Sequence, residues 1–219
     1  MTQVARQLGE NRLHVDLAGP AGRLEALWEE PPSPRAAAVV CHPHPLHGGT
    51  MHTHAVHRIA RAARAGGAST LRFQFRGVGL SAGSHDGGRG ERDDVRAALA
   101  WAAARRPGEP LLLAGFSFGA RMAVEVGCRE PSVSGLLVAG LADRASGSAA
   151  GACARPLASI QAERDEFQSP AEVEALLRAS EHPRRTATVP GASHLFTEAL
   201  DQLEREAALA FRWLLEAGR

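Results

Sequence analysis

A serine between two glycines is the feature of this sequence that most directly suggests chemistry. Residues 115–119 read Gly-Phe-Ser-Phe-Gly and place Ser117 at the centre of a G-x-S-x-G pattern. An apolar run at 111–114 precedes the pattern, and a helix of small residues is predicted at 120–127. A sharp turn between strand and helix exposes such a serine above a sheet, and the glycines relieve backbone crowding. This context predicts a nucleophilic serine rather than an incidental one in a glycine-rich turn.

A nucleophilic serine needs a base, and histidine is the usual one. In sites built on a strand–serine–helix turn the chain order is serine, acid, histidine, and two histidines, His182 and His194, follow Ser117. His182 stands before a proline in a polar stretch. His194 lies in a tight loop after a predicted strand at 185–189, from which an imidazole can reach the serine. We therefore predict His194 as the general base.

An acidic residue must orient this base, and four candidates lie between the serine and the histidine. Asp165 directly follows a predicted strand at 157–161, at the edge of the sheet where ligands gather. Asp143 follows the preceding strand and is a genuine alternative, and Glu163 and Glu166 would serve only if the loop were displaced. We predict Asp165 as the acid and leave Asp143 open.

Six of the ten histidines fall between residues 42 and 57. Imidazole is a common zinc ligand, but no cysteine or carboxylate spacing completes a known pattern and H-E-x-x-H is absent, so we predict no metal. A better interpretation is a loop that donates a backbone N–H to a developing oxyanion, as a partner to the N–H of Phe118. Prolines interrupt the loop and lack this donor, which leaves His44, Leu46 and His47. We predict His44.

A glycine-rich segment after the predicted strand 70–75 contains G-x-G-x-x-A and invites comparison with dinucleotide-binding turns. Its glycines continue to residue 90, so the sequence predicts no helix start at which a phosphate could bind. We predict a structural turn beneath the site. Three apolar residues, Leu46, Phe116 and Leu195, are predicted to contact the acyl group of a substrate, although each is equally typical of core packing.

The order of elements indicates how these residues are held. Two strands form a hairpin-like start, and strands and helices then alternate, which predicts an α/β fold with a mostly parallel central sheet and helices on both faces. We predict a single domain over residues 1–219, and the segment 140–156 is too short for a lid. The predicted strands are 12–17, 23–28, 36–41, 70–75, 111–115, 134–139, 157–161 and 185–189, and helices are predicted from 53, 93, 120, 169 and 195.

Composition excludes several classes of function. The chain has 219 residues and a formal net charge of +1, so no bulk field attracts nucleic acid or an anionic membrane. Apolar runs are strand-sized, which predicts no membrane span, and the N-terminus lacks a signal-peptide pattern. Three cysteines without metal-site spacing predict reduced thiols in a cytoplasmic protein. The oligomeric state, monomer or homodimer, stays open.

Three segments together carry a likeness to a known family. Residues 42–51, 71–81 and 114–120 resemble those of small bacterial α/β-hydrolases without a lid, near the dienelactone-hydrolase-like branch. The resemblance covers nearly the whole chain and is densest from residue 39 to 123. It implies the α/β-hydrolase fold and a triad of Ser117, Asp165 and His194. Ala162 stands where relatives usually begin the acid loop with glycine.

The predicted function follows from this triad and needs no cofactor. We expect a serine hydrolase that cleaves a small carboxylic ester or thioester through an acyl-enzyme intermediate. Acyl transfer to another acceptor, or peptide hydrolysis, would use the same residues. A catalytically silent binding protein is the alternative from a different class, because fold does not imply function.

Overall fold

One sheet of nine strands organises the computed structural model, which describes the backbone of residues 5–9, 11–178 and 180–218 and the side chains from residue 11 onward in those ranges. The strands are β1 (Ala5–Gly9), β2 (Arg12–Gly19), β3 (Gly22–Glu29), β4 (Ala36–Cys41), β5 (Ala68–Phe73), β6 (Leu111–Phe116), β7 (Val133–Ala139), β8 (Leu157–Ala162) and β9 (Arg184–Val189). Their order across the sheet is β1-β2-β3-β5-β4-β6-β7-β8-β9.

The first three strands and the rest of the sheet differ in direction and in burial. β1, β2 and β3 pair antiparallel, β3 joins β5 antiparallel, and every pairing from β5 through β4 to β9 is parallel. Every residue of β4, β5, β6 and β8 is buried, as expected for parallel strands covered on both faces. The predicted mostly parallel sheet is therefore confirmed.

Helices cover both faces of this sheet, as predicted. Within the described ranges they are α1 (His54–Ala65), α2 (Arg89–Arg105), α3 (Phe118–Gly127), α4 (Arg144–Gly151), α5 (Pro170–Arg178) and α6 (Leu200–Ala217). α1 and α6 pack on one face, around residues such as Ile59 and Phe211. α2 and α3 pack on the other face, around residues such as Leu99 and Met122. No helix within the described ranges is long and apolar enough to cross a membrane.

Two helix starts differ by four or five residues from the sequence-based prediction, and the other predicted starts lie within two residues of those observed. α2 begins at Arg89 rather than at residue 93, because Gly88 adopts a φ of 101° and the Glu91 carboxylate accepts its N–H. The glycine-rich segment thus does open a helix. α6 begins at Leu200 rather than at residue 195, because Phe196 adopts a φ of 57° and forms a turn with its N–H on Ser193.

The short helix α4 lies in a segment for which the sequence predicts no element. Its residues, Arg-Ala-Ser-Gly-Ser-Ala-Ala-Gly, include no large apolar side chain, so no helical pattern is visible. Its two glycines explain how it packs on α5: a Cβ on Gly147 or Gly151 would overlap Leu176. The helix is therefore stabilised by close backbone approach rather than by an apolar face.

The prediction of three reduced cysteines is wrong for two of them. Cys128, which follows α3, forms a disulfide with Cys153, which follows α4, and their Cα atoms are 5.1 Å apart. The partners are separated by 25 residues and meet only when α3 and α4 pack together. Cys41 is a free thiol, and its burial raises the pKa of that thiol.

Candidate active site

Ser117 lies at the sharp turn between β6 and α3. Its φ of 55° and ψ of −118° are a conformation that costs a non-glycine residue free energy, and its N–H donates to the Ala139 carbonyl over 2.9 Å. A Cβ on Gly115 would overlap the Gly119 backbone, and a Cβ on Gly119 would overlap the Cys41 carbonyl. Both glycines of the motif are thus required by close packing around the serine.

His194 reaches this serine from the loop between β9 and α6. Its Nε2 lies 2.9 Å from the Ser117 Oγ. The imidazole is almost completely buried, with 4% of the residue exposed, and the backbone N–H of His194 donates to the Glu166 carboxylate over 3.2 Å. The loop is therefore held in place by its own main chain as well as by the ring.

Asp165, in the loop after β8, binds the other ring nitrogen of His194. Its Oδ2 lies 2.9 Å from the His194 Nδ1, and its Oδ1 accepts the backbone N–H groups of Phe167 and Gln168 over 3.1 and 3.4 Å. An ionised carboxylate only accepts hydrogen bonds, so the Nδ1 carries the proton of the neutral ring. The Nε2 is then free to accept the hydroxyl proton of Ser117.

Gln161 completes this arrangement and was not predicted from the sequence. Its Nε2, which carries two hydrogens, lies within hydrogen-bond distance of three acceptors: the Asp165 Oδ2 at 3.2 Å, the Leu141 carbonyl at 3.0 Å and the Gln168 carbonyl at 2.9 Å. Its Oε1 accepts the Leu141 N–H over 3.2 Å. The signal that could have identified it is a glutamine in a mostly apolar strand, Leu-Ala-Ser-Ile-Gln-Ala, four residues before the acid.

The other candidates for the triad acid make different contacts. Asp143 caps α4, accepting the backbone N–H of Ser146 over 2.8 Å and its hydroxyl over 2.7 Å. Glu163 accepts the backbone N–H of Gly191 over 2.7 Å. His182, the other downstream histidine, is exposed, and its own N–H donates to Ser180.

The loop after β4 presents one unengaged N–H at the predicted position. Leu46 donates to the His44 Nδ1 over 3.2 Å, and His47 donates to the His44 carbonyl over 3.0 Å. Among the described residues, neither His44 nor Phe118 has a protein acceptor for its backbone N–H. The rings of His44 and Phe118 are 5.0 Å apart. Of the three predicted donors, His44 is therefore the one available to a ligand.

His42 supports this loop from below. It is fully buried, its Nδ1 lies 2.7 Å from the Pro43 carbonyl, and its Nε2 accepts the Phe75 N–H over 3.0 Å. These contacts require the neutral ring, and burial lowers the pKa of His42 to about 4. His42 therefore joins the ends of β4 and β5 and takes no part in proton transfer at the serine.

The histidine-rich segment forms ring contacts around His44. The ring of His44 lies 4.5 Å from that of His47 and 4.8 Å from that of His85, and His85 lies 5.6 Å from Phe118. Within the described part of the chain, no group of three or more potential ligands has an arrangement that would hold a metal ion. The remaining histidines of the segment, His52, His54 and His57, are exposed.

The glycine-rich segment contributes His85 to the border of the site. At the start of α2, the Glu91 carboxylate is fully buried and accepts the N–H groups of Asp86 and Gly88 over 2.9 and 2.8 Å. Gly88 is the N-cap of α2, where a phosphate would find a free N–H. The chain's own carboxylate therefore accepts the N-cap N–H that a bound phosphate would use.

The predicted apolar contacts divide into buried and exposed residues. Phe116 is fully buried beneath His194, with ring centroids 5.5 Å apart, so its prediction as a substrate contact is wrong. Leu46 and Leu195 are 71% and 57% exposed. Phe167, which was not predicted, is 62% exposed and its ring lies 4.6 Å from that of His194. An exposed phenylalanine in the acid loop has no periodic pattern that would have identified it.

A groove of about 610 Å³ lies elsewhere, between β2 and α2. Ser117, His194 and Asp165 do not line it. The site is thus identified by the geometry of its side chains and not by the size of a cavity. The groove is lined by Leu13, Val15, Leu17, Ala18, Ala97, Ala100, Trp101, Ala104 and Arg105.

Comparison with known proteins identifies the family of the chain. A family model described as "Serine aminopeptidase, S33" matches residues 32–148, more than half of the chain. The chain is 40% identical over 121 residues to the uncharacterized protein RP471 of Rickettsia prowazekii (strain Madrid E). That alignment covers 54% of this chain and 51% of the relative, so the chain matches about half the length of this curated relative.

Two solved structures are similar over almost the whole chain. An α/β serine hydrolase homologue from Coxiella burnetii is 32% identical with a TM-score of 0.81, covering 95% of this chain and 96% of the other. XC6422 from Xanthomonas campestris, an α/β serine hydrolase without a lid, is 33% identical with a TM-score of 0.82, covering 95% and 97%. The chain therefore belongs to the bacterial α/β serine hydrolases that lack a lid, and it has the α/β-hydrolase fold.

Proposed function

We propose that the protein hydrolyses a carboxylic ester or thioester through an acyl-enzyme intermediate, with Ser117 as nucleophile, His194 as general base and Asp165 as the orienting acid. The observation that carries this proposal is the continuous hydrogen-bonded chain from the Ser117 Oγ through both ring nitrogens of His194 to Asp165, with 2.9 Å at each link. Such a chain activates a hydroxyl that is otherwise a weak nucleophile at neutral pH.

Acylation begins when the Ser117 Oγ attacks the carbonyl carbon of the substrate. The His194 Nε2 takes the hydroxyl proton, and Asp165 stabilises the imidazolium through the Nδ1–H. The tetrahedral intermediate then collapses, the bond to the leaving group breaks, and His194 returns the proton to the departing alcohol or thiol. Water repeats the sequence on the acyl-enzyme and releases the carboxylic acid.

Two backbone donors are proposed to hold the oxyanion. Phe118 directly follows the nucleophile at the start of α3, and His44 lies in the loop that packs against the same helix. Their N–H groups are unengaged within the described residues. Each well-aimed donor contributes about 3–4 kcal/mol to transition-state stabilisation. No cofactor takes part in these steps.

An ester is favoured over the α-amino substrate of an aminopeptidase, the activity that the family description mentions. A free N-terminal ammonium needs an acidic partner near the reacting carbonyl. Of the nearby loop carboxylates, Glu91 is fully buried, and Glu163 and Glu166 hold the backbone N–H groups of Gly191 and His194, so each has a structural contact in the fold. Acyl transfer to an alcohol or amine would share the first half of the reaction.

The experiment that tests this function compares p-nitrophenyl acetate, a thioester and an aminoacyl p-nitroanilide as substrates. We expect an initial burst of about one product per enzyme with the ester, and little turnover of the anilide. The rate should fall toward acid pH, because a protonated base cannot take the Ser117 proton. A rate independent of pH between about 5 and 9 would contradict His194 as the base.

The proposed partner is a small acyl ester or thioester, in agreement with the net charge of +1. The cytoplasmic location predicted from the sequence stays a prediction. The Cys128–Cys153 disulfide argues against it, because cytosolic reductants keep most thiols reduced.

A further inference from the structure

Exposed large apolar side chains are concentrated around the proposed catalytic residues. Five such residues occur in the described part of the chain, and Leu80 and Leu209 are the two remote from the proposed triad in sequence. The other three lie within two positions of a residue proposed to act: Leu46 beside His44, Phe167 beside Asp165 and Leu195 beside His194. Apolar surface left exposed at a functional site is typical of contact with an apolar ligand.

Phe167 is the member of this group whose position is defined by direct contacts. Its backbone N–H donates to the Asp165 Oδ1 over 3.1 Å, which fixes the main chain beside the acid. Its ring stands edge to face with the His194 imidazole at 4.6 Å and an interplanar angle of 68°. The ring is therefore one imidazole away from the Ser117 Oγ, and most of its surface is open to solvent.

The chemistry of the proposed reaction assigns a side of the substrate to this ring. His194 must return its proton to the leaving group, so that group lies against the His194 Nε2 when the bond breaks. A ring packed on the same imidazole is close to the leaving group, whereas the acyl carbonyl is held by the donors on Phe118 and His44. An apolar leaving group would cover the exposed ring of Phe167 and remove its surface from water.

We propose that Phe167 is a specificity-determining residue that contacts the apolar alcohol or thiol portion of the substrate. The preferred substrates are then esters or thioesters of an apolar alcohol or thiol. This inference rests on the proposed function, because it takes His194 as the group that protonates the leaving group.

The test compares two pairs of esters that differ by one change each. Ethyl and hexyl acetate differ in the leaving alcohol, while ethyl acetate and ethyl hexanoate differ in the acyl chain. The quantity measured is the ratio of kcat/KM within each pair, followed by acid release, so that any general loss of activity cancels. The variants are Phe167→Ala, Phe167→Leu and, as a control at an exposed leucine on α6, Leu209→Ala.

We expect the hexyl-to-ethyl acetate ratio to fall about tenfold in Phe167→Ala, because the apolar contact is lost. Phe167→Leu should keep most of the ratio, and Leu209→Ala should keep all of it. An unchanged ratio in Phe167→Ala would overturn the inference. A fall confined to the hexanoate-to-acetate ratio would overturn it too, because the ring would then contact the acyl chain.

A second measurement tests the inference even if the protein hydrolyses none of these esters. Hexan-1-ol and ethanol are compared as ligands that slow fluorophosphonate labelling of Ser117. Stronger protection by hexan-1-ol in the wild type than in Phe167→Ala supports the inference, and equal protection in both contradicts it. A wild-type protein that no fluorophosphonate labels contradicts the proposed function itself, a result distinct from a failure of the Phe167 assignment alone.

Discussion

The side-chain amide of Gln161 donates to the same carboxylate oxygen of Asp165 that binds the His194 ring, over 3.2 Å. Gln161 is buried in β8, and both of its polar ends are engaged, with Leu141 bound through its N–H and its carbonyl. The glutamine thus joins the loops after β7 and β8 and fixes the direction in which the carboxylate points. We infer that it acts as a positioning residue through Asp165.

Replacing Gln161 by methionine, which is similar in shape and has no N–H donor, should lower kcat about tenfold with little change in KM, because orientation of the base is lost after the substrate is bound. The matched control is Gln168→Met: that side chain is also buried, and the bonds of Gln168 to Asp165 and Gln161 are made by its main chain. Equal losses of kcat in the two folded variants would contradict a positioning role for Gln161.

Asp165 and Asp143, the two candidates for the triad acid in the sequence, should respond differently to replacement by asparagine. Asp165→Asn should lower kcat by about 10⁴-fold, because the amide no longer stabilises the imidazolium or selects its tautomer. Asp143→Asn should keep kcat within about threefold, since asparagine still caps α4 through its carbonyl oxygen. Steady-state kinetics on a single ester decides between them. A large loss in Asp143→Asn alone would contradict the acid assignment.

Because His42 is buried, we expect the free energy of unfolding to depend on pH. Burial lowers its pKa to about 4 in the folded protein, against about 6.5 when unfolded, so the folded state favours the neutral ring. The contribution is complete above pH 6.5, and it is lost as the pH falls toward 4, because the unfolded chain takes up the proton first.

Urea denaturation at pH 7.5 and 4.5, on the wild type and on His42→Gln, isolates this effect. Between the two pH values the wild type should lose about 2–3 kcal/mol more of its free energy of unfolding than the variant, which has no titrating ring at this position. Equal losses in both proteins would show that His42 titrates normally in the folded state.

The disulfide determines how many thiols an alkylating reagent can label. Protein purified without reductant and then denatured should take up one alkylating label, at Cys41, and three after reduction. Reduction should lower the free energy of unfolding by about 3 kcal/mol, because the cross-link closes a loop of 25 residues. Three labels before reduction would contradict the Cys128–Cys153 bond.

Much of the fold was visible in local patterns. The strand at 36–41 has the predicted bounds, because a short apolar run between a proline-rich turn and the histidine segment admits no other element. The start of α1 at His54, one residue from the predicted start at 53, followed from helix periodicity. The relation of Ser117 to a strand and a helix was visible because the G-x-S-x-G pattern is itself local.

What the sequence could not predict depends on contacts between distant segments. α4 packs on Leu176 through its glycines. The disulfide joins two cysteines that come together only because α3 and α4 pack against each other. Gln161 and Phe167 acquire their roles from the positions of Asp165 and His194, so neither carries a motif of its own. For Phe116 the local pattern was misleading. Its place in the G-x-S-x-G motif suggested contact with the substrate, but the residue is buried in β6.

The proposed nucleophile is tested most directly by intact-mass analysis of the wild type and of Ser117→Ala after treatment with a fluorophosphonate. The hydrogen-bonded chain of Ser117, His194 and Asp165 predicts one adduct on the wild type and none on the variant. An unlabelled wild-type protein that is folded would contradict an activated serine and favour a catalytically silent binding protein. An adduct that persists in Ser117→Ala would place the reactive group elsewhere.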